Sequence, residues 1–359
     1  MHVRVPDELD QALSPQWLTT ALRSGFPGIE VVSVVPGPIV ERISTNVRFA
    51  VECAGDPPPD LYPRLCLKGY FSEIGRAARA VGEAEAGFYT EIAALTGVRT
   101  LRSVFATVDS DTRHGVVITE DVIAQGGEFL DGNSPFTPEQ AADSLTEYAR
   151  LHAATWSDPR YADTPWLVPR MTRTLESTAS WGLTAITNNY TGPNGAGMPA
   201  RMRDPDRMVA AYRAAIDRVL AETASAGWCV VHGDAHVGNL FLDGDGRPAL
   251  LDWQLVQRGM WYIDIGYHLA SALTVEDRRR HEFDLLRHYL DQLAAFGVHP
   301  PPWEQAREDL SWGIVHGLFL WSITTQVEPS IIASLLHRIA TAAADHDALG
   351  KVLRAAGPE

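Results

Sequence analysis

The chain has 359 residues, of which 45% are hydrophobic and 21% are charged. This apolar content is sufficient for a sizeable core, and it excludes disordered, collagen-like and coiled-coil proteins. The 30 Lys and Arg residues against 45 Asp and Glu residues give a net charge of −15, so we expect no nucleic-acid partner, because phosphate backbones bind basic surfaces.

The first third of the chain combines strand and helix patterns. Ser14 followed by Pro15 predicts a helix that runs to about Ser24, since serine caps a helix and proline suits its first position. Further runs predict strands at residues 31–35, 47–52 and 64–71, a helix at 76–96, and two more strands at 101–109 and 115–120. This order predicts an antiparallel sheet with one long helix inserted, which is an α+β pattern.

The rest of the chain is mainly helical in pattern. A capping box at Thr137 begins a helix that extends toward His152. The later predictions are a loop-rich stretch at residues 187–205, a β-rich interval at 228–256, and helices at 275–296, 303–325 and 330–352. We expect one enzyme with two lobes, residues 1–122 and 123–359, and a cleft between two such lobes is a natural place for a ligand.

The cysteines and the apolar segments bear on the cellular compartment. Cys53, Cys66 and Cys229 form no CxxC pair, and they suit reduced, buried thiols better than a disulfide framework. Residues 1–15 lack the apolar run of a signal peptide. The most apolar stretch, residues 312–323, is too short to span a bilayer. We therefore expect a cytoplasmic protein without membrane insertion.

Four side chains that can bind a metal or move a proton lie within a short interval. They are His232, Asp234, Asn239 and Asp252. Glycines before and between them place Asp234 and Asn239 in a loop, and Asp252 follows a short apolar strand. Phosphoryl transfer uses such a set, because one carboxylate takes the hydroxyl proton while an amide and a second carboxylate hold Mg²⁺ on the nucleotide.

The same interval resembles the catalytic loop of the aminoglycoside phosphotransferase and choline kinase superfamily. His-Gly-Asp at 232–234 precedes Asn239 by the spacing of the protein-kinase motif, and Leu-Asp-Trp at 251–253 takes the place of Asp-Phe-Gly. The resemblance implies a bilobal protein-kinase-like fold, with a small antiparallel-sheet lobe that binds nucleotide and a larger helical lobe that holds the catalytic loop and the acceptor site. It implies transfer of the γ-phosphate of ATP, or of GTP, to a hydroxyl of a small molecule, with Asp234 catalytic and with Asn239 and Asp252 as Mg²⁺ ligands.

The resemblance extends to residues of the first lobe, which it implies would bind the nucleotide. Lys68 lies on an early strand where the family has its phosphate-binding lysine, and Glu85 is similar to the helix glutamate that pairs with it, with Glu83 as a competing candidate. No GxGxxG is present, and the superfamily often has a Ser/Asn-containing turn at that place, which here contains Ser44 and Thr45. Residues 119–121, with Glu120, resemble the hinge, where the adenine would bind the backbone near Val122.

Other residues of the second lobe carry the resemblance further. Residues 151–153 resemble the helix behind the active loop, and Asp264 resembles an aspartate that braces this loop. Gln254 is similar to the ecdysteroid-kinase-like branch, whereas His236 and Gly238 are similar to the aminoglycoside branch. The subfamily therefore remains open, and His236 is expected to pack or to orient other groups rather than to bind a metal.

Two alternatives to the kinase hypothesis remain open. His232, Asp234 and His236 could form the ligand triad of a metal-dependent hydrolase, although that hypothesis does not account for Asn239 or Asp252. The chain could also be a catalytically weak nucleotide-binding pseudokinase or regulator. The sequence does not identify the hydroxylated acceptor, and the acidic net charge only mildly favours a cationic one.

Overall fold

Two units make up the structure, a computed structural model that describes residues 3–225 and 227–357. The first unit extends to Glu128 and also contains the later segments Asp243–Gly246 and Leu251–Leu255. The second unit contains Phe129–Leu242, Arg247–Leu250 and the chain from Val256 onward. Asp252 therefore belongs to the first unit, although it follows a strand of the second unit in the sequence.

The first unit is built around a five-stranded antiparallel sheet in the order β1–β2–β3–β5–β4. Its strands are β1 (Val31–Glu41), β2 (Thr45–Cys53), β3 (Arg64–Gly69), β4 (Ser103–Val108) and β5 (Gly115–Glu120). The predicted strands all overlap these elements. Since side chains alternate along a strand, Leu65 and Leu67 of β3 are buried in the core while Lys68 points to the other face.

The helices of the first unit differ from the prediction in one respect. They are α1 (Leu9–Ala12), α2 (Pro15–Leu22), α3 (Glu73–Ala77), α4 (Arg79–Gly87) and α5 (Ala93–Thr96). The single helix predicted at residues 76–96 is wrong, because non-helical backbone at Ala78 separates α3 from α4, and a π-helical turn at Phe88–Ile92 separates α4 from α5. Gly97 ends α5 in the left-handed region at φ 65°, as a glycine permits.

The second unit is mainly helical. Its helices are α6 (Pro138–Ala154), α7 (Met171–Ser177), α8 (Gly182–Thr191), α9 (Pro205–Thr223), α10 (Tyr262–Ala272), α11 (Val275–Ala295), α12 (Trp303–Ile323), α13 (Pro329–Asp345) and α14 (Ala348–Ala356). The remaining strands are β6 (Glu128–Phe129), β7 (Cys229–Val231), β8 (Leu240–Leu242), β9 (Pro248–Leu250) and β10 (Gln257–Gly259). The loop predicted at residues 187–205 is partly helical, and the helix predicted at 330–352 is broken at Asp347, whose φ is 48°.

Helices α10 and α12 approach each other closely because glycines face one another. A Cβ atom at Gly313 would overlap the carbonyl oxygen of Tyr262, and one at Gly266 would overlap the carbonyl oxygen of Leu310. This contact fixes α10, which carries Asp264 and Tyr267, against α12. Among the residues that the structure describes, no helix is long and apolar enough to cross a membrane.

Candidate active site

The loop predicted to be catalytic lies between β7 and β8 of the second unit. His232 follows β7 directly and is fully buried, and Gly233 has φ 81°, in the left-handed region that favours glycine. A single 3₁₀ turn at Val237–Asn239 then leads into β8. The glycine at position 233 thus lets the chain turn sharply just before Asp234.

The buried carboxylate of Asp264 holds the start of this loop. Its Oδ2 accepts the backbone N–H of His232 at 2.7 Å, and its Oδ1 accepts the backbone N–H of Gly233 at 2.8 Å. His152 Nε2 lies 3.0 Å from Oδ2. Burial raises the pKa of Asp264. The hydrogen bond and charge of His152, the charge of His232 and the backbone N–H of Gly233 together lower this pKa by more. Asp264 is therefore ionised and braces the loop.

The backbone carbonyl groups of the same loop are also bound by buried side chains. His316 Nε2 lies 2.8 Å from the Gly233 oxygen, and His268 Nδ1 lies 3.0 Å from the Ala235 oxygen. Asn239 Nδ2 donates to the Asp234 oxygen at 2.8 Å. Because donors and acceptors are paired on successive residues, the loop has one defined conformation.

The Asp234 carboxylate faces a ring of polar and aromatic groups. Tyr267 donates its hydroxyl to Oδ1 at 3.1 Å, and His236 Nε2 lies 3.7 Å from Oδ2. The side chain keeps 27% of its surface exposed, so a ligand can reach it. Burial raises the pKa of Asp234, but His236, His232 and the Tyr267 hydroxyl together lower it to about 2.

His236 is oriented by the loop itself. Its Nδ1 accepts the backbone N–H of Gly238 at 3.0 Å, so a neutral imidazole carries its proton on Nε2, which faces Asp234. Its ring lies edge-on to Trp321, with 5.1 Å between the ring centroids. His236 therefore packs beside the carboxylate, with Nε2 facing Oδ2.

In the first unit, Lys68 lies between two carboxylates. Its Nζ is 2.7 Å from Glu85 Oε2 and 2.9 Å from Asp252 Oδ1. Burial lowers the pKa of the Lys68 amine, but Asp252 and Glu85 raise it more, so the amine is charged. Glu83 instead pairs with the exposed Arg113, which places Glu85 and not Glu83 beside the lysine.

The segment that contains Asp252 is held by its neighbours in the first unit. Asp252 has φ 64°, a left-handed conformation that aspartate tolerates better than most residues. Trp253 is fully buried and stacks on Phe88, with ring centroids 3.6 Å apart, and its Nε1 donates to Thr100 Oγ1 at 2.9 Å. Gln254 Nε2 donates to the Tyr70 hydroxyl at 2.9 Å. These contacts aim the Asp252 carboxylate at Lys68.

The other residues predicted to bind nucleotide also lie in the first unit. Asn46 Nδ2 donates to Ser44 Oγ at 3.2 Å, while the buried Thr45 Oγ1 has no hydrogen-bond partner among the described residues. The Glu120 carboxylate accepts from Arg102 and Gln125, so this side chain has a role within the unit. The carbonyl of Val122 accepts two N–H groups of the following turn, from Gln125 and Gly127.

The predicted residues thus form two groups, one in each unit. The structure brings Lys68, Glu85 and Asp252 together in the first unit, and Asp234 with Asn239 in the second. The amide N–H of Asn239 is used by the loop, which leaves its Oδ1 as the atom that can bind a cation. Carboxylate and amide oxygens of this kind fit Mg²⁺.

The metal-hydrolase alternative finds no support in this geometry. His232 Nδ1 accepts the backbone N–H of Asp234 at 3.3 Å, and His236 Nδ1 accepts that of Gly238, so both histidines serve the loop. Within residues 3–225 and 227–357, no group of three or more His, Cys, Asp or Glu side chains could hold a metal ion.

Sequence reasoning missed four side chains that the site uses. Tyr267 bonds to Asp234, Trp321 bonds to Tyr267, and His316 and His268 hold the loop carbonyls. The position of Tyr267, three residues after Asp264, was a usable signal, because residues three apart lie on one face of a helix. The residues of α12 gave no such signal, since they reach the loop only through tertiary packing.

Comparison with solved structures shows which fold this is. The chain is similar to the choline kinase LicA from Streptococcus pneumoniae, with 13% identity and a TM-score of 0.52 over 92% of this chain and 98% of that one. It is similar to a choline kinase from Cryptosporidium parvum, with 14% identity and a TM-score of 0.53 over 94% and 95% of the two chains. The predicted α+β kinase-like fold, with an antiparallel sheet and a larger helical part, is confirmed.

Comparison with known sequences identifies the family. No curated protein matches this chain in sequence. Residues 71–308, however, match the phosphotransferase enzyme family. This match includes Glu85, the loop with Asp234 and Asn239, Asp252 and the brace Asp264. The chain therefore belongs to the phosphotransferase enzyme family.

Proposed function

We propose that this protein transfers the γ-phosphate of ATP, or of GTP, to a hydroxyl of a small molecule. The observation that carries the proposal is the environment of Asp234. Its carboxylate is ionised, accessible and placed on a loop whose backbone is bound on both sides by buried groups. Such preorganisation supplies most of the rate in phosphoryl transfer, where positioning and electrostatics dominate.

Asp234 is proposed to align the acceptor hydroxyl and to take its proton. A new bond forms between the acceptor oxygen and the γ-phosphorus, and the bond from this phosphorus to the bridging oxygen breaks. The nucleoside diphosphate leaves with that electron pair, and the hydroxyl proton passes to the Asp234 carboxylate. Its low pKa makes Asp234 a weak base, so its main contribution is to orient the hydroxyl.

Lys68 is proposed to bind the α- and β-phosphates of the nucleotide. It is charged, 16% exposed and held by Glu85, so its amine can turn to phosphate without leaving its ion pair. Ser44, in the β1–β2 turn, and Thr45, the first residue of β2, are proposed to contact the nucleotide. The backbone near Glu120 and Val122 is proposed to bind the base.

Asn239 and Asp252 are proposed to hold Mg²⁺, which when bound neutralises charge on the β- and γ-phosphates. Asn239 offers Oδ1, and Asp252 offers a carboxylate that is 35% exposed.

The net charge of −15 weakly favours a cationic acceptor. The choline kinases that share this fold are named for such an acceptor, since choline is a cation. A small hydroxylated molecule is therefore the proposed partner, and a cytoplasmic location is the proposed setting.

The test begins with binding and ends with turnover. We expect Mg-ATP or Mg-GTP to raise the melting temperature of the full chain, because a ligand that binds the native state stabilises it. A panel of hydroxylated compounds is then assayed for nucleoside diphosphate release, with Asp234→Ala as the inactive control and Glu83→Gln as the active one. Nucleotide binding without turnover on any acceptor would favour the pseudokinase alternative and contradict the proposal.

A further inference from the structure

We propose that Tyr267, held by Trp321, is a positioning residue that decides which oxygen of Asp234 receives the acceptor hydroxyl. The inference rests on the proposed phosphotransferase function and adds a residue to it. Tyr267 is fully buried on α10, three residues after the brace Asp264. One helix face therefore carries both the group that holds the loop backbone and the group that holds the Asp234 side chain.

The direction of the hydrogen bonds follows from the chemistry of the indole. Trp321 Nε1 lies 2.6 Å from the Tyr267 oxygen, and an indole nitrogen can only donate. The Tyr267 oxygen is thus an acceptor in that contact, and its single proton is free to point elsewhere. It points to Asp234 Oδ1, 3.1 Å away. Trp321 therefore orients Tyr267, and Tyr267 donates to the carboxylate.

The helix that carries Trp321 also fixes the ring of Tyr267. A Cβ atom at Gly317 would overlap the ring of Tyr267, so α12 lies flat against it. Gly317 and Trp321 are four residues apart and share one face of α12. The ring and the hydroxyl of Tyr267 are therefore held by the same helix face, with little freedom to rotate.

The two oxygens of Asp234 become inequivalent as a result. Oδ1 accepts from Tyr267, whereas His236 Nε2 lies 3.7 Å from Oδ2, which is too long for a hydrogen bond. Oδ2 is thus the oxygen with capacity to accept the acceptor's hydroxyl, with the N–H of His236 beside it. In the transfer step, the hydroxyl proton passes to Oδ2 as the new oxygen–phosphorus bond forms and the bridging bond breaks.

The decisive variant is Tyr267→Phe, which removes one oxygen and leaves the ring in place. The carboxylate then rotates more freely, and we expect kcat to fall about tenfold while the KM values for nucleotide and acceptor stay within about twofold. Trp321→Phe removes the donor that orients Tyr267, so kcat should fall in the same direction by a smaller factor, about threefold.

A matched control is available in a tyrosine of α8 that contacts the same helix, α12. Tyr190 is also buried, and its hydroxyl lies 2.7 Å from Ser322 Oγ, next to Trp321 in the chain. Tyr190→Phe makes the same chemical change without touching Asp234, and it should leave kcat within about twofold of wild type. An equal fall of kcat in Tyr190→Phe and Tyr267→Phe would overturn the proposal, because the effect would then come from general packing.

The remaining outcomes separate this inference from the function on which it rests. An unchanged kcat in Tyr267→Phe overturns the inference, and so does a rise in acceptor KM at constant kcat, which would make Tyr267 an acceptor-binding residue. If Asp234→Ala is inactive in the same assays while Tyr267→Phe is unaffected, only the positioning role fails. If Asp234→Ala keeps wild-type turnover, the proposed function itself fails.

Discussion

The two units hold their proposed functional residues in physically different ways. In the first unit, charged groups hold one another, because Lys68 lies within 3 Å of both Glu85 and Asp252. In the second unit, backbone hydrogen bonds from buried side chains such as Asp264 and His316 hold the loop. Ion pairs can be exchanged for a charged ligand, whereas a hydrogen-bonded backbone is not easily displaced. The first arrangement suits a phosphate-binding group, and the second suits a group that must stay in place.

The largest effect on turnover is expected at Asp234, the carboxylate on the hydrogen-bonded loop of the second unit. Asp234→Ala should lower kcat by about 10³-fold or more, since both alignment and proton acceptance are lost. The fold should be retained, because the loop is held through its backbone and not through this side chain. Steady-state assays of nucleoside diphosphate release and a thermal melt test both parts. Turnover near the wild-type rate would show that the loop serves another purpose.

The corresponding change in the first unit is Asp252→Ala. We expect turnover to be abolished here as well. Any turnover that remains should rise less with added Mg²⁺ than it does in the wild type. Glu85 still pairs with Lys68 in this variant, so the unit should remain folded. A titration with Mg²⁺ at fixed nucleotide, followed by turnover, measures the effect. A variant that keeps the wild-type rate and the wild-type Mg²⁺ response would contradict the assignment of Asp252.

The next largest effect concerns the brace of the second unit. Asp264→Asn removes a buried charge that two backbone N–H groups and His152 share, and it should lower the free energy of unfolding by about 3 kcal/mol. Urea denaturation followed by tryptophan fluorescence measures this change. Asp143→Asn, at an exposed position of α6, is the matched control and should change stability by less than about 0.5 kcal/mol. If the two variants were equally stable, Asp264 would not brace the loop.

In the first unit, the two neighbouring glutamates of α4 offer a smaller and sharper test. Glu85→Gln loses the ion pair that orients Lys68, so the KM for nucleotide should rise about tenfold. Glu83→Gln loses only a pair with the exposed Arg113, and such pairs contribute little, so its KM should change less than about twofold. The reverse order of the two KM values would mean that Lys68 changes its partner when nucleotide binds.

This pair of glutamates also shows where sequence reasoning ends. The local motif predicted Asp234, Asn239 and Asp252, because their spacing along a loop and a hairpin is itself the signal, and the family resemblance then implied Lys68. It could not choose between Glu83 and Glu85, since only the rotation of α4 against the sheet places one of them beside the lysine. That rotation depends on helix breaks at Ala78 and Phe88–Ile92 that the helical pattern did not show.

The same limit applies more strongly to the second unit. Asp264 could be predicted because it lies in a recognisable segment, but Trp321 lies 54 residues from the tyrosine it binds. Their contact depends on the close approach of α10 and α12 at Gly266 and Gly313, which is a tertiary property. Fold class, motif residues and the brace Asp264 were therefore predictable, whereas the α12 residues that orient the motif were not.

The smallest predicted effect is shared by the two units and depends on pH. Burial lowers the pKa of His268 to about 4, and burial with the charge of Arg79 does the same for His114. His114 is needed neutral, since its Nε2 accepts the Tyr70 N–H. At pH values between 4 and the unfolded value of about 6.5, the unfolded chain binds more protons than the folded one, so acidification destabilises the fold. From pH 7.5 to pH 5.5, each histidine should lower the free energy of unfolding by about 1 kcal/mol.

In urea denaturation at the two pH values, His268→Gln and His114→Gln should each lose that part of the pH dependence. If a variant keeps the full pH dependence of the wild type, the histidine that it lacks is already charged in the folded wild-type protein at pH 5.5. That histidine would then not stabilise its unit as a neutral side chain.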